Sequence, residues 1–370
     1  MHILITGGAG FIGSHTMIRL LETGHDLIVL DNLSNSQMEV LGKIHLITHK
    51  YPIFYPINLA TEPDYMLKIL KSYSEEHPID AVIHFASLKA VYDSIQNPIK
   101  YYDNNLIGMI NLLKAMEEIG CRNLIFSSSA TVYGDQPAPV HEDMPIGRGV
   151  TNPYGKSKFM IEEILQDLPR STHNSSKDQH WKIIALRYFN PIGSHPSGLI
   201  GELIPENEFP NNLMPYLLGV AKKLEKYPEL KVFGTDYSTQ DGSCERDFIH
   251  VMDLAEGHLS ALNHMFPQPK SNLASNLASN SASNSTSNSI SNYFKAYNLG
   301  TGKPTSVLQL IETFQKVNQV PIPYQLTNRR EGDLASIYAN VDKARKELNW
   351  EAQLTVEDMC RDAWNFAKQS

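Results

Sequence analysis

The chain has 370 residues, 42% of them hydrophobic, and a formal net charge of -8. That is enough apolar material for one large or two ordinary cores, and the negative balance argues against a surface built to hold the phosphates of DNA or an anionic membrane. Cys121, Cys244 and Cys360 are too few and too far apart for a disulfide framework or a thiolate metal site, so no metal is expected. No apolar run reaches the length of a membrane span, and a strand-like run starts at His2 without a leader-type segment ahead of it; the expected location is the cytoplasm.

In chain order, "HILIT" (His2 to Thr6) reads as a first strand, followed by a helix over Gly13 to Thr23. Further strands are expected at Asp26 to Leu30, Ala81 to Ala86, Asn123 to Ser129 and Ile183 to Phe189, with a long helix over Pro98 to Ile119. Continuous β-branched strands alternating with helical segments indicate a doubly wound parallel α/β sheet covered on both faces. Residues 1–190 are read as this Rossmann domain. From "NPIGSHPSG" onward prolines and loops accumulate and strands such as Leu230 to Gly234 stand alone, so residues 191–370 are read as a smaller C-terminal α/β domain, with 231–262 returning in part to the first. Ser271 to Asn292 carries no charge, glycine or proline, and asparagine recurs every fourth residue from Asn272. Ser and Asn compete with helical backbone bonds, and few apolar groups offset the ordering entropy, so a surface loop without catalytic part is expected.

Gly7, Gly10 and Gly13 in "ITGGAGFIGSH" follow the first strand and open a helix. The first permits a tight turn, the second lets backbone approach a pyrophosphate, and the third lets helix pack on strand, with the helix N-terminus favouring negative charge. Asp31 ends the second strand at the spacing of a carboxylate that accepts from a ribose hydroxyl and repels a 2′-phosphate, which favours NAD over NADP. The alternative is a strand-terminal aspartate capping a turn. In "TNPYGKSK", Tyr154 precedes Lys158 by one helical turn, placing both side chains on one face. A free tyrosine ionises near pH 10, but an adjacent ammonium and the positive nicotinamide both favour phenolate. Ser129 ends a strand whose carboxyl edge is where doubly wound sheets bind ligands, so Ser129, Tyr154 and Lys158 can converge as an acid/base constellation. Lys158 can also hold ribose hydroxyls, and Ser129 the reacting oxygen.

These stretches, with "LDNLSNS", "HFASLKAV", "YYDNN", "FSSSATVYGDQP", "RYFNPIGSHPSG", "NNLMPY", "RDFIHVMDLA" and "RREGDL", closely resemble the UDP-glucose 4-epimerases of the extended short-chain dehydrogenase/reductase family. The likeness covers nearly the whole chain apart from the repeat and the segment "THNSSKDQH". It implies reversible inversion of UDP-glucose and UDP-galactose at sugar C4 through a 4-keto sugar, with NAD held and not consumed, in a homodimer. By position it places NAD contacts on the glycine loop with Phe11 and Ile12, on Asp31, Asn32, Leu33, Ser34, Asn35 and Ser36, on Asn58 and Leu59, and on Phe85, Ala86, Ser87 and Lys89. Asn104, Ser129, Tyr154, Lys158 and Phe189 complete that set. It places nucleotide-sugar contacts on Ser129, Tyr154, Asn190, Asn212, Leu213, Lys231, Val232, Phe233, Arg246, Arg330 and Asp333. Guanidinium groups such as Arg246 and Arg330 suit a diphosphate. Asn58 departs from the family's aspartate, Ser87 from its glycine, and Ile337 holds a position that is tyrosine in some members and small in others. Sibling nucleotide-sugar dehydratases and decarboxylases share the glycine loop and the Tyr/Lys pair, but the dehydratases place an acidic pair after the strand end; Ala130 and Thr131 stand there instead. A non-catalytic NAD-binding module on the same fold is the other alternative.

Overall fold

The computed structural model describes residues 1–171, 180–204, 212–267, 292–330 and 333–370. The tetrad repeat, Asn292 excepted, lies outside them, as does most of "THNSSKDQH". Strands β1 (His2–Thr6), β2 (Asp26–Asp31), β3 (Ile53–Pro56), β4 (Ala81–His84), β5 (Asn123–Ser129) and β6 (Lys182–Tyr188) join the strand Tyr293–Leu299 in one seven-stranded sheet. All pairs are parallel, and the order across the sheet is Tyr293–Leu299, β6, β5, β4, β1, β2, β3. β1 is flanked by β2 on one side and β4 on the other, so the winding direction reverses at its carboxyl end and leaves a crevice there.

The strands read as unbroken apolar runs because both faces are covered. Ile3 and Ile5 enter one core with Met17 of helix α1 (Phe11–Glu22) and Leu254, Leu259 and Leu262 of the helix Val251–Met265. Leu4, on the opposite face, joins Met109, Leu112, Ile161 and Leu165 from the helices Gly108–Glu118 and Pro153–Asp167. The doubly wound architecture expected from the sequence is therefore the one observed. A third core gathers the helices Leu213–Ala221, Val307–Asn318 and Val356–Ala367 around Leu217, Leu310, Phe314 and Met359.

Two elements differ from the sequence reading. The helix expected over Pro98 to Ile119 is interrupted: Pro98–Tyr102 and Gly108–Glu118 are α-helical, but Asp103–Ile107 opens into a π-helical turn. Such widened turns re-aim side chains near functional sites, and here the buried Asn105 gains backbone partners on the loop after β4. Tyr293–Leu299, directly after the repeat, becomes an edge strand with seven residues in register on β6. The chain thus re-enters the first sheet late, and Val251–Met265 also packs there, against α1.

Candidate active site

The glycine loop is shaped by close approach. Gly7 has φ +70°, and a Cβ there would stand 2.5 Å from Ala86 N on the loop after β4. A Cβ at Gly13 would stand 2.5 Å from Gly7 O, so helix α1 lies tight on the loop that precedes it. Around Gly10, by contrast, the nearest protein atom to an added Cβ is 3.4 Å away. Gly10 caps α1 without a side chain, and the first-turn N–H groups of Phe11 and Ile12 have no intrahelical acceptor, as at any helix start. Their partial positive charge faces the crevice.

Asp31 is buried and does both things the sequence allowed. Its Oδ1 accepts from Leu33 N at 2.8 Å and Ser36 Oγ at 3.1 Å, capping the turn after β2. Its Oδ2 accepts from Ala9 N at 3.0 Å, tying that turn to the glycine loop. A carboxylate offers about four lone-pair sites, so capacity for a ribose hydroxyl remains. Asn32 Oδ1 accepts from Ser34 N at 3.1 Å, and Leu33 takes a left-handed φ of +54°. Asn58 Oδ1 accepts from Ala60 N at 3.0 Å, using one of its two lone pairs. Leu59 is buried in the core. These groups fit a dinucleotide: unpaired amides and an open glycine at the phosphate end, a buried carboxylate at the adenosine end.

Asn152 starts the helix Pro153–Asp167 by accepting from Gly155 N at 2.8 Å, and Pro153 occupies the first turn. Tyr154 and Lys158 therefore stand one turn apart on the face toward β5, as expected. The Lys158 ammonium is buried, donates to Ser127 O at 2.8 Å and lies 4.9 Å from the Phe126 ring centroid. Desolvation lowers its pKa to about 7, with Glu162 opposing. Tyr154 is half-buried; burial raises its pKa, while a hydrogen bond to Ser129 and the charge of Lys89 pull it down. The protein's own groups thus leave the phenol above its ordinary value. The Lys158 ammonium, expected to favour phenolate together with the nicotinamide, is engaged by a carbonyl, and Lys89 adds a second cation whose charge pulls the phenol down.

Several supports carry no sequence signal of their own. Ser129 Oγ accepts from Thr131 N at 3.2 Å and Thr131 Oγ1 at 3.0 Å, which leaves its hydroxyl proton free for Tyr154 or a substrate oxygen. Below it, Ser128 donates to Glu162 Oε1, and Glu162 receives Arg187 Nε at 3.1 Å and NH2 at 2.7 Å. Arg187 also donates to Tyr133 OH at 2.9 Å, and Tyr133 to Asn298 Oδ1 at 2.7 Å. Asn105 Oδ1 accepts from Leu88 N at 2.9 Å while its Nδ2 donates to Ser157 Oγ at 3.0 Å, pinning the loop of Phe85 to Lys89 onto the tyrosine's helix. Asn104 Nδ2 donates to Asn105 Oδ1 at 2.9 Å, Ser87 Oγ to Leu88 O at 3.2 Å, and Phe85 and Ala86 donate their N–H groups to Thr6 O. Phe189 is buried at the end of β6.

On the other side of the crevice, Arg246 NH1 donates to Leu334 O at 2.9 Å and Glu245 O at 2.8 Å, and NH2 to Asp333 Oδ1 at 3.3 Å. Among the described residues, two of its five N–H donors have no partner. The Arg330 guanidinium lies 4.3 Å from the Phe233 ring centroid, stacked on that ring. Lys231 and Phe233 share one face of the strand Leu230–Phe233, whereas Val232 is buried in the third core; only its backbone can meet a ligand. Asn190 N donates to Asp247 O at 2.9 Å, Asn212 occupies the N-cap position of the helix Leu213–Ala221, and Leu213 packs half-buried on the third core. Ile337 pairs in register with Arg246 and packs on the cluster of Ala130, Val132 and Phe189. Among the described residues no cluster of His, Cys, Asp or Glu could hold a metal ion, and all three cysteines are buried and free.

The model of the NAD dependent epimerase/dehydratase family matches residues 3–278. The chain is 46% identical over 367 residues to the UDP-glucose 4-epimerase of Bacillus subtilis (strain 168), covering 99% of this chain and 96% of that one. It is 45% identical over 365 residues to the UDP-glucose 4-epimerase of Dictyostelium discoideum, covering 98% and 95%. The crystal structure of UDP-glucose 4-epimerase from Bifidobacterium longum in complex with NAD+ and UDP superposes with a TM-score of 0.84 at 41% identity, covering 100% and 98%. That from Stenotrophomonas maltophila, with bound NAD and formylated UDP-arabinopyranose, gives 0.86 at 40% identity, covering 100% and 98%. A glycine loop open at its phosphate end, a Ser/Tyr/Lys edge beside it and this full-length similarity agree: the chain belongs to the NAD dependent epimerase/dehydratase family, among its UDP-glucose 4-epimerases.

Proposed function

We infer that the protein interconverts UDP-glucose and UDP-galactose by reversible inversion at sugar C4, through a 4-keto sugar, with NAD as a cofactor that is held and not consumed. The observation that carries the reading is the meeting of Ser129, Tyr154 and the buried Lys158 at the carboxyl edge of the sheet, beside the glycine loop. When bound, NAD supplies a reversible hydride acceptor for sugar C4.

Tyr154 Oη removes the proton of the C4 hydroxyl and returns it after inversion. Ser129 Oγ, its acceptor positions taken by Thr131, turns its own proton toward the reacting oxygen or the phenolate. Lys158 holds ribose hydroxyls and contributes positive charge that favours the phenolate, with Lys89 acting alongside it. The free donors of Arg246, the stacked Arg330 and Asn212 grip the nucleotide diphosphate, leaving the sugar to turn over. A firm grip on the nucleotide and a loose one on the sugar is what inversion at a single carbon requires.

Function divides between residues 1–190, which hold the dinucleotide, and 191–370, which hold the nucleotide sugar, with Val251–Met265 and Tyr293–Leu299 crossing back. The working unit is a homodimer. Tyr92, Ile95, Ile99, Ile107, Ile110 and Met160 are exposed apolar side chains on neighbouring helices, and a second copy covers them. Among the described residues no helix is long and apolar enough to cross a membrane, and the working location is the cytoplasm.

The test is to incubate purified protein with UDP-galactose without added NAD and measure UDP-glucose. Product forms on this reading; no product even after NAD is added refutes it. Sedimentation of wild type and Ile99→Glu reads the assembly: a dimer that the substitution splits supports the interface, and a wild-type monomer removes it.

A further inference from the structure

The carboxylate of Glu202 joins two loops that the epimerase reading assigns to different ligands. Its Oε1 accepts from Lys89 Nζ at 2.9 Å and from Asn212 Nδ2 at 3.3 Å. Lys89 follows β4, with its ammonium 5.8 Å from the ring centroid of Phe11 at the start of α1, on the cofactor side. Asn212 occupies the N-cap position of the helix Leu213–Ala221, on the nucleotide-sugar side, without a side-chain cap bond. The glutamate is itself presented by a fixed backbone: Ser194 and Gly201 bridge in antiparallel fashion, His195 N donates to Ile200 O at 2.9 Å, and a Cβ at Gly201 would stand 2.4 Å from both Ser194 Oγ and the Phe366 ring.

The glutamate side chain is 14% exposed and the lysine 47%. With the lysine half-exposed the pair adds little to stability, and the informative feature is its position. Lys89 has a flexible four-carbon stem whose rotamer freedom is costly to restrict at the moment a ligand binds. Fixing it beforehand moves that cost out of the binding step. Burial works against the lysine's charge, but the Glu202 charge and hydrogen bond outweigh it, so the ammonium stays protonated beside Tyr154.

We propose that Glu202 is a positioning residue: it fixes the Lys89 ammonium at the cofactor crevice and, through Asn212, ties the nucleotide-sugar loop to it, so that one carboxylate assembles both binding sites. The proposal rests on the epimerase reading above.

Glu202→Ala tests it, with two readouts that do not depend on turnover: NAD retained by the protein after gel filtration, and affinity for UDP by calorimetry. The expected result is retained NAD falling severalfold, UDP binding about tenfold weaker, and KM for UDP-galactose rising by a similar factor with a smaller change in kcat, since one charge-assisted hydrogen-bonded link is lost. Glu202→Gln, which keeps an acceptor oxygen for both donors but not the charge, falls between, and it carries the same test if the alanine variant does not fold. NAD content and UDP affinity equal to wild type overturn the proposal, as does a lowered melting temperature with both unchanged, which marks a merely structural contact. Wild type that neither retains NAD nor converts UDP-galactose overturns the epimerase reading itself, a different failure.

Discussion

The ammonium of Lys158 hydrogen-bonds the carbonyl oxygen of Ser127 at 2.8 Å and stands 5.9 Å from the ring centroid of Tyr154. Its influence on the phenol is therefore a field, not a hydrogen bond. The cost of holding it there is visible in its pKa, lowered by burial from 10.5 to about 7. Between these values the folded protein binds fewer protons than the unfolded chain, so stability rises with pH across that window, and below about pH 7 the full cost is present. Lys158→Met removes the cost. Thermal unfolding should show the variant ahead of wild type by about 1–3 kcal/mol at pH 6, after allowing for the lost bond to Ser127, with the lead fading toward pH 10. Turnover should fall sharply. A variant less stable than wild type at pH 6 would contradict this.

Tyr154→Phe keeps the ring and removes only the oxygen that moves the proton. General acid/base catalysis contributes about 10²–10⁴-fold, so kcat should fall by at least that much while UDP affinity by calorimetry stays unchanged. Near-normal turnover would take Tyr154 out of the acid/base role.

Glu162 and Arg187 form a buried ion pair that also fixes Ser128, one residue before Ser129. Removing one charge strands the other in the core at a cost of about 3–5 kcal/mol. Glu162→Gln should lower the urea midpoint accordingly. A double substitution to well-packed apolar residues should recover much of the loss in stability and little of the activity, because Ser128 then has no carboxylate to hold it.

Much of this was legible in the sequence. The strands His2–Thr6 and Asn123–Ser129 fall where their β-branched runs placed them, because a strand buried on both faces must be apolar along its whole length. The glycine loop, Asp31 and the Tyr154/Lys158 spacing were readable because each obeys a local rule of turn, cap or helical period. What escaped depends on contacts distant in sequence. Nothing near Asn105 announces a π-helical turn that reaches Leu88, and nothing near Glu202 announces Lys89, 113 residues away. The strand Tyr293–Leu299 escaped because its partner β6 lies about a hundred residues earlier and the polar repeat just before it gives no strand signal. The sign of Tyr154's pKa shift also could not be read, since burial is a property of the whole fold.

Ile337 pairs with Arg246 and packs beside Phe189, and the family resemblance puts this position on the wall of the sugar pocket. A difference in pocket volume of methylene scale is worth about 1–3 kcal/mol. Ile337→Tyr should lower kcat/KM for UDP-N-acetylgalactosamine relative to UDP-galactose by about 10- to 100-fold, read from paired kinetics on the two substrates. An unchanged ratio would remove this side chain from the pocket wall.

The most direct test of the central claim uses UDP-galactose carrying deuterium at C4, converted in ordinary water and read by NMR of the UDP-glucose formed. If Tyr154 moves only the hydroxyl proton while the carbon-bound hydrogen leaves and returns inside the closed site, the deuterium remains at C4 of the product. Deuterium lost to solvent would mean that C4 is inverted by proton exchange at carbon, and would contradict the account.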